Sequence, residues 1–301
     1  MDKKANRWLN DHRWNLTSDD GEDGILEKLL ELIPNPNRWC VEFGACDGLE
    51  RSNTHNLIAK KGYAGVLIEP SVRKFRGLER TYAGRKDVTL INGFVGLGAS
   101  DGLDRILANT KAPLDIDLVC IDIDGNDYYV WEAIKQYRPK VILIEFNPTI
   151  PNSLEFIQPR DPSINQGASL LAMCKLAKLK GYELVATTTN NAFFVDGKYF
   201  DLFGIADNSM SELRPEEGAP ITYIFNGYDG TVFLRGHRHL IWHDTPYVES
   251  RVQQIPSVIR DFPPNYGKVK TGLAGAYFFL FRGYRPSRAV VTRFWRQMTG
   301  R

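Results

Sequence analysis

The sequence predicts an α/β fold in which a parallel sheet is covered by helices on both faces. Short, continuous apolar runs recur between residues 39 and 148, and a segment with helical apolar spacing follows most of them. Strands that are apolar throughout belong in a sheet buried on both sides, and the intervening helices supply the cover. The 301 residues are 43% hydrophobic, enough for a large core and too apolar for a disordered chain.

Each element follows from its own signal. Residues 1–20 are polar and are expected to be loosely held. In "GEDGILEKLLELI" (21–33), Ile25, Leu26, Leu29, Leu30 and Ile33 share a helical face, and Pro34 stops the helix. A strand at 39–45 leads to a helix at 52–62, with Ser52 as N-cap and Gly62 as C-cap. Strands at 63–70 and 88–96 flank a helix at 71–84 that opens on a Ser cap. A short helix near 101–110, a strand at 116–125, a helix at 127–137 and a strand at 140–148 continue the alternation. A Pro- and Asn-rich loop spans 149–168. A helix at 168–182 ends on Gly181, and two strands within 183–197 turn at Asn190-Asn191. Beyond about 205 the alternation stops, and 221–243 reads as a hairpin turned at Asp229-Gly230. The expected organisation is a polar segment (1–20), a main domain (21–205) and a C-terminal extension (206–301).

Charge is nearly balanced, with 38 basic and 36 acidic residues, which gives no general case for nucleic acid as a partner. The exception is the last twenty residues, with six arginines and no acid. That basic tail is read either as a peripheral contact to anionic lipid or glycan, or as a helix packed on its own domain. Cys40, Cys46, Cys120 and Cys174 form no C-x-x-C pair and read as small buried hydrophobes in a reducing compartment. The start lacks an apolar signal region. The run "LAGAYFFLF" (273–281) falls far short of the ~20 residues that span a bilayer. A cytoplasmic protein without a transmembrane segment is expected.

Ligands of an open parallel sheet bind beyond the carboxyl ends of its strands. "WCVEFGACDGLERSNTHNL" (39–57) places Glu42, Gly44 and Gly48 at that edge. The glycines would let a ligand approach the backbone, and Glu42 would meet a ligand amine or orient the loop. Glu69 ends the next apolar run, 21 residues after Gly48, where a carboxylate can accept from two adjacent ribose hydroxyls. A nicotinamide dinucleotide and S-adenosylmethionine share this geometry. "GACDGL" lacks the second glycine of G-x-G-x-x-G, so S-adenosylmethionine fits better.

Together "SDDGEDGILEKLLELI", "WCVEFGACDGLERSNTHNL", "GYAGVLIEPS", "VCIDIDGNDYYVWEAI", "VILIEFNP" and "GYELVATTTNNAFFV" resemble the FkbM-type S-adenosylmethionine-dependent methyltransferases, and within them a subgroup opening on a G-E-D-G helix. The resemblance covers roughly residues 18–205. It implies a Rossmann-like class I methyltransferase with a mostly parallel seven-stranded sheet. It also implies O-methylation, often of sugars in antibiotics or bacterial surface polysaccharides, so the acceptor would be a carbohydrate or other small molecule. Carried over by position, Glu42, Gly44, Asp47 and Gly48 line the methionine moiety, with Ser52 in the same cofactor-binding loop. Glu69 holds the ribose, Asn92 and Gly93 border the adenine, and Asp122 closes the site.

The densest chemical signal is "CIDIDGND" (120–127). Asp122 and Asp124 share a face of an extended chain, and Glu145 and Asn147 do the same on the next strand. Carboxylates so close need a cation, hydrogen-bond donors or a shared proton. Asp122, Asp124 and Asn147 are therefore candidate ligands for magnesium, which would activate a substrate hydroxyl. Without metal, Asp124 or Glu145 is the candidate general base. An EF-hand loop fails, because its sixth residue would be Asp127 and its twelfth Ala133. A metal-dependent glycosyltransferase using Asp122 and Asp124 leaves Gly44, Gly48 and Glu69 without a role, and a non-catalytic binding protein on the same fold is the other alternative. His237, His239 and His243 lack a further metal-ligand partner, and His239 is a candidate base reaching over the pocket. The 149–168 loop, with Arg160 and Gln166, reads as a lid or substrate wall.

Overall fold

In the computed structural model, which describes residues 6–98 and 100–282, the apolar runs become strands β1 (Trp39–Phe43), β2 (Ala64–Ile68), β3 (Val88–Ile91), β4 (Leu118–Ile121), β5 (Val141–Glu145), β6 (Tyr182–Thr187) and β7 (Asn191–Asp196). They form one sheet in the order β3-β2-β1-β4-β5-β7-β6. All pairings are parallel except those of β7, which runs antiparallel to both β5 and β6. That order with one reversed strand is the Rossmann-like class I methyltransferase arrangement. The reversal comes from the turn at Asn190-Asn191, too short for a crossover helix.

The helices are α1 (Glu22–Leu32), α2 (His55–Lys61), α3 (Val72–Thr81), α4 (Leu103–Leu107), α5 (Asp127–Ala133), α6 (Leu170–Lys180) and α7 (Met210–Leu213). Alternate strand residues divide between two cores. Val41, Phe43, Val119, Ile121, Ile142 and Ile144 pack with α4, α5 and α6. Cys40, Leu67, Leu118, Cys120 and Leu143 pack with α1, α2 and α3. The local signals are met where they were legible. Ser71 Oγ accepts from Lys74 N–H at the start of α3, and Gly62 and Gly181 end α2 and α6 with φ of +71° and +74°. Ser52 does not cap a helix directly. The helix begins at His55, and Ser52 Oγ, which accepts from His55 N–H at 3.1 Å, donates to Glu42.

Three segment assignments change. The N-terminal stretch is not loose: Leu9 is fully buried, and Trp8 Nε1 donates to Phe203 O at 2.9 Å. Two aromatic or aliphatic side chains are enough to seat a short segment that is otherwise polar. The first of two compact units ends at Ala219, not at 205. Leu213 is fully buried, its carbonyl accepts from Thr187 Oγ1, and Arg214 donates to Ile150 O and Pro148 O, so 206–219 belong to the main domain. The strand predicted to run through 96 ends at Ile91.

The second unit, from Pro220, contains the expected hairpin, β8 (Thr222–Asn226) with β9 (Val232–Gly236), turned through Gly230 at φ +83°. It also contains α8 (Lys268–Arg282). The basic tail beyond Arg282 lies outside the described residues. Among the described residues no helix is long and apolar enough to cross a membrane.

Candidate functional site

The carboxyl edge of β1 is built by side chains that hold one another. Glu42 alternates with Val41 and Phe43, so it points with Cys40 towards α1 and α2. It is 4% exposed and accepts from Ser52 Oγ, Thr54 Oγ1 and Asn53 N–H, each at 2.7 Å. Burial raises its pKa, and these three donors pull it back. Through these contacts Glu42 holds residues 52–54 of the loop that follows β1. Asp47 Oδ1 accepts from Leu49 N–H and Glu50 N–H, which hold its carboxyl below the usual range.

The glycines answer to the protein as well. Gly44 has φ +77°, and a Cβ there would strike the carbonyl oxygen of Asp122. Gly48 has φ +78°, and its Cβ would lie 2.6 Å from Tyr82 Cε2 and 2.8 Å from Leu78 Cδ1. At both glycines the Cβ position is taken up by the protein itself, by β4's end at Gly44 and by α3 at Gly48.

Glu69 stands one residue past β2. Its Oε2 accepts from Cys46 N–H at 3.0 Å and its Oε1 from Ser71 N–H at 2.7 Å, with the side chain 3% exposed. Each oxygen retains a second lone pair. Asn92 Nδ2 donates to Glu69 O at 2.8 Å, tying the end of β3 to that of β2. Gly93 is different from the other two glycines, because nothing stands within 4 Å of where its Cβ would be. Phe94 follows and is 81% exposed. Sequence reasoning passed over Phe94; an aromatic just past an apolar strand and a glycine was the available signal.

Asp122 and Glu145 meet because β4 and β5 are neighbours in register, with Ile121 opposite Ile144. With Asp124 they bring one carboxylate oxygen each within 4.8 Å of the others. Burial first, then the charges of Asp127, Asp124 and Glu42, push the Asp122 carboxyl up to about 7, against a hydrogen bond with Glu145. Burial, followed by Asp122, Asp127 and Asp124, pushes Glu145 up to about 9, against the Asn190 amide, whose Nδ2 donates to Oε1 at 3.2 Å. Like charges at this spacing favour a proton held by the pair. Asp127 carries the loop itself, accepting from Ile123 N–H and Gly125 N–H. The sequence marks Asn190 only as a turn residue and Asp127 only within the acidic run; the contacts both make come from the folded turns.

Asn147 is engaged within its own loop: its Oδ1 accepts from Thr149 N–H and Oγ1, and its Nδ2 donates to Gln166 O. The carboxylate that joins Asp122 and Asp124 is Glu145. The 149–168 loop is ordered by Gln158, whose Oε1 accepts from Gln166 N–H and Gly167 N–H and whose Nε2 donates to Ile164 O. Arg160 donates to Leu97 O and lies over the Tyr129 ring, 5.3 Å from its centroid. His239 belongs to the second unit, with Nδ1 3.6 Å from Asp244 Oδ1.

No known protein family matches this sequence, and no curated protein does. Partial likenesses to solved structures do exist. The CMeT domain of the citrinin polyketide synthase shares 14% identity over 58% of this chain and 51% of its own, with a TM-score of 0.40. The N-terminal domain of EvdMO1, solved with SAH bound, shares 14% over 60% of this chain and 81% of its own, also at 0.40. A sarcosine dimethylglycine methyltransferase homologue from Galdieria sulphuraria shares 16% over 54% and 62%, at 0.37. The chain thus overlaps about half of the citrinin synthase domain. Overlaps of this size carry no functional argument, and the fold rests on the strand order.

Proposed function

We propose that this chain is an S-adenosylmethionine-dependent O-methyltransferase acting on a hydroxyl of a carbohydrate or glycosylated metabolite. The observation that carries the reading is the Asp122–Glu145 pair. Two carboxyls that burial and mutual charge push towards the protonated form lie at the carboxyl edge of a β3-β2-β1-β4-β5-β7-β6 sheet, where ligands of open α/β sheets bind. The carbohydrate acceptor rests on the resemblance of the motifs to FkbM-type enzymes.

The residues present fit the cofactor. Glu69 keeps one lone pair on each oxygen for the two ribose hydroxyls, and Gly93 with exposed Phe94 borders open space suited to a planar base. The loop fixed by Glu42, Asp47, Gly44 and Gly48 would face the methionine portion through its backbone. S-adenosylmethionine supplies an electrophilic methyl group. The ionised member of the Asp122–Glu145 pair would take the acceptor hydroxyl's proton as the methyl–sulfur bond breaks and S-adenosylhomocysteine leaves, and Asp124, on the exposed side of the cluster, would orient the acceptor.

A divalent cation such as magnesium is the second reading of the same three carboxylates, favoured by their convergence within 4.8 Å. Calorimetry with S-adenosylhomocysteine, with and without magnesium, tests both. Binding without metal supports the proton-sharing pair. A magnesium requirement lost in Asp124→Asn supports the cation. Binding of a nucleotide-sugar in place of S-adenosylhomocysteine would overturn the methyltransferase reading.

A further inference from the structure

Helix α8 turns an apolar stripe to solvent. Val269, Leu273, Ala276 and Leu280 recur at spacings of four and three residues, so they share one side of the helix. Val269 is 77% exposed, Leu273 52% and Leu280 69%, and the adjoining Phe279 and Phe281 are 71% and 74% exposed. The other side is seated in its own unit: Thr271 and Ala274 are buried, Tyr277 Oη donates to Gln254 O, and Lys270 pairs with Asp261 at 2.6 Å. Val269, Leu273 and Leu280, with Phe279 beside them, form a contiguous apolar stripe, whereas Phe281 stacks on Tyr277 at the seated side.

Charge identifies what covers it. From Lys268 to Arg301 the sequence contains two lysines, six arginines and no acid. Exposed Lys268 borders the stripe beside Val269, a position from which a long cationic side chain reaches the phosphate level while the apolar face sinks. A second copy of this chain would bring the same positive charge against the same face. The described helix has 15 residues, about 22 Å, short of the ~30 Å hydrocarbon core. We propose that α8 lies in the interfacial plane of an anionic phospholipid bilayer, with Val269, Leu273, Phe279 and Leu280 among the acyl chains. This stands independently of the methyltransferase reading.

The full chain is pelleted with vesicles of phosphatidylcholine alone, or with about one-third phosphatidylglycerol, at low and high salt. Association with the anionic vesicles, weakened by salt, is expected. Leu273→Ser/Leu280→Ser, which keeps every arginine, should bind roughly tenfold less or weaker, with an unchanged thermal midpoint because both side chains are exposed. Val269→Ser/Phe279→Ser gives the same readout should the first variant lose its fold. Equal binding by variants and wild type overturns the proposal, as does no binding or binding indifferent to lipid charge. A lipid-free dimer, seen by sedimentation velocity and dissociated by these substitutions, would assign the stripe to a second copy and overturn it too.

Discussion

Gly44 lies against Asp122: the space its side chain would need is filled by the Asp122 carbonyl oxygen. The loop after β1 is thereby locked to the end of β4, the strand that carries the acidic cluster. Gly44→Ala should combine left-handed strain at φ +77° with this clash and cost about 2 kcal/mol or more in urea unfolding. Gly93→Ala, with nothing within 4 Å and no such φ, should stay within ~0.5 kcal/mol. Equal costs at the two positions would remove the argument for the Gly44 contact.

Glu42 gathers Ser52, Asn53 and Thr54 around one buried carboxylate. Glu42→Ala leaves those donors without an acceptor and should destabilise the chain by roughly 2–4 kcal/mol. A double substitution with Thr54→Val should cost less than the sum of its parts, because the two share one hydrogen bond. Additive costs in a thermodynamic cycle would count against the network.

The raised pKa values at Asp122 and Glu145 give stability a sign with pH. Between roughly pH 4 and 9 the unfolded chain has released protons that the folded pair keeps, so folding stability falls as pH rises through that window. Glu145→Gln removes one of the two charges. Relative to wild type it should gain on the order of 1 kcal/mol from pH 5 to pH 9, the small figure reflecting partial solvent access. The comparison is made in chelator to exclude metal, and a pH-independent difference would refute proton sharing.

Phe94 offers a test of the cofactor site with little structural cost, because 81% of its surface is already in water. Phe94→Ala should weaken S-adenosylhomocysteine binding about tenfold, the loss of one base-stacking contact, with the melting temperature unchanged. Unaltered affinity by calorimetry would move the adenine elsewhere.

Trp8 is the anchor of the N-terminal segment, through its ring and its bond to Phe203 O. Trp8→Ala should cost about 3 kcal/mol of stability. A loss below ~0.5 kcal/mol would return the segment to the loosely held state that its polar composition predicts.

Local signals in the sequence determined the alternation of strands and helices, the caps at Ser71, Gly62 and Gly181, and the hairpin at Gly230, because periodicity and capping are settled within a few residues of the chain. They also marked Asp122, Asp124, Glu145 and Glu69 as acids at strand ends. What those acids touch was decided only when the strands paired. Register set Asp122 beside Glu145 and left Asn147 to its own loop. Close approach of β4's end gave Gly44 its protein contact, and Glu69 found Cys46 and Ser71. Packing across more than a hundred residues drew Trp8 and Leu9 into the core, since buried apolar surface outweighs the polarity of the segment that carries it.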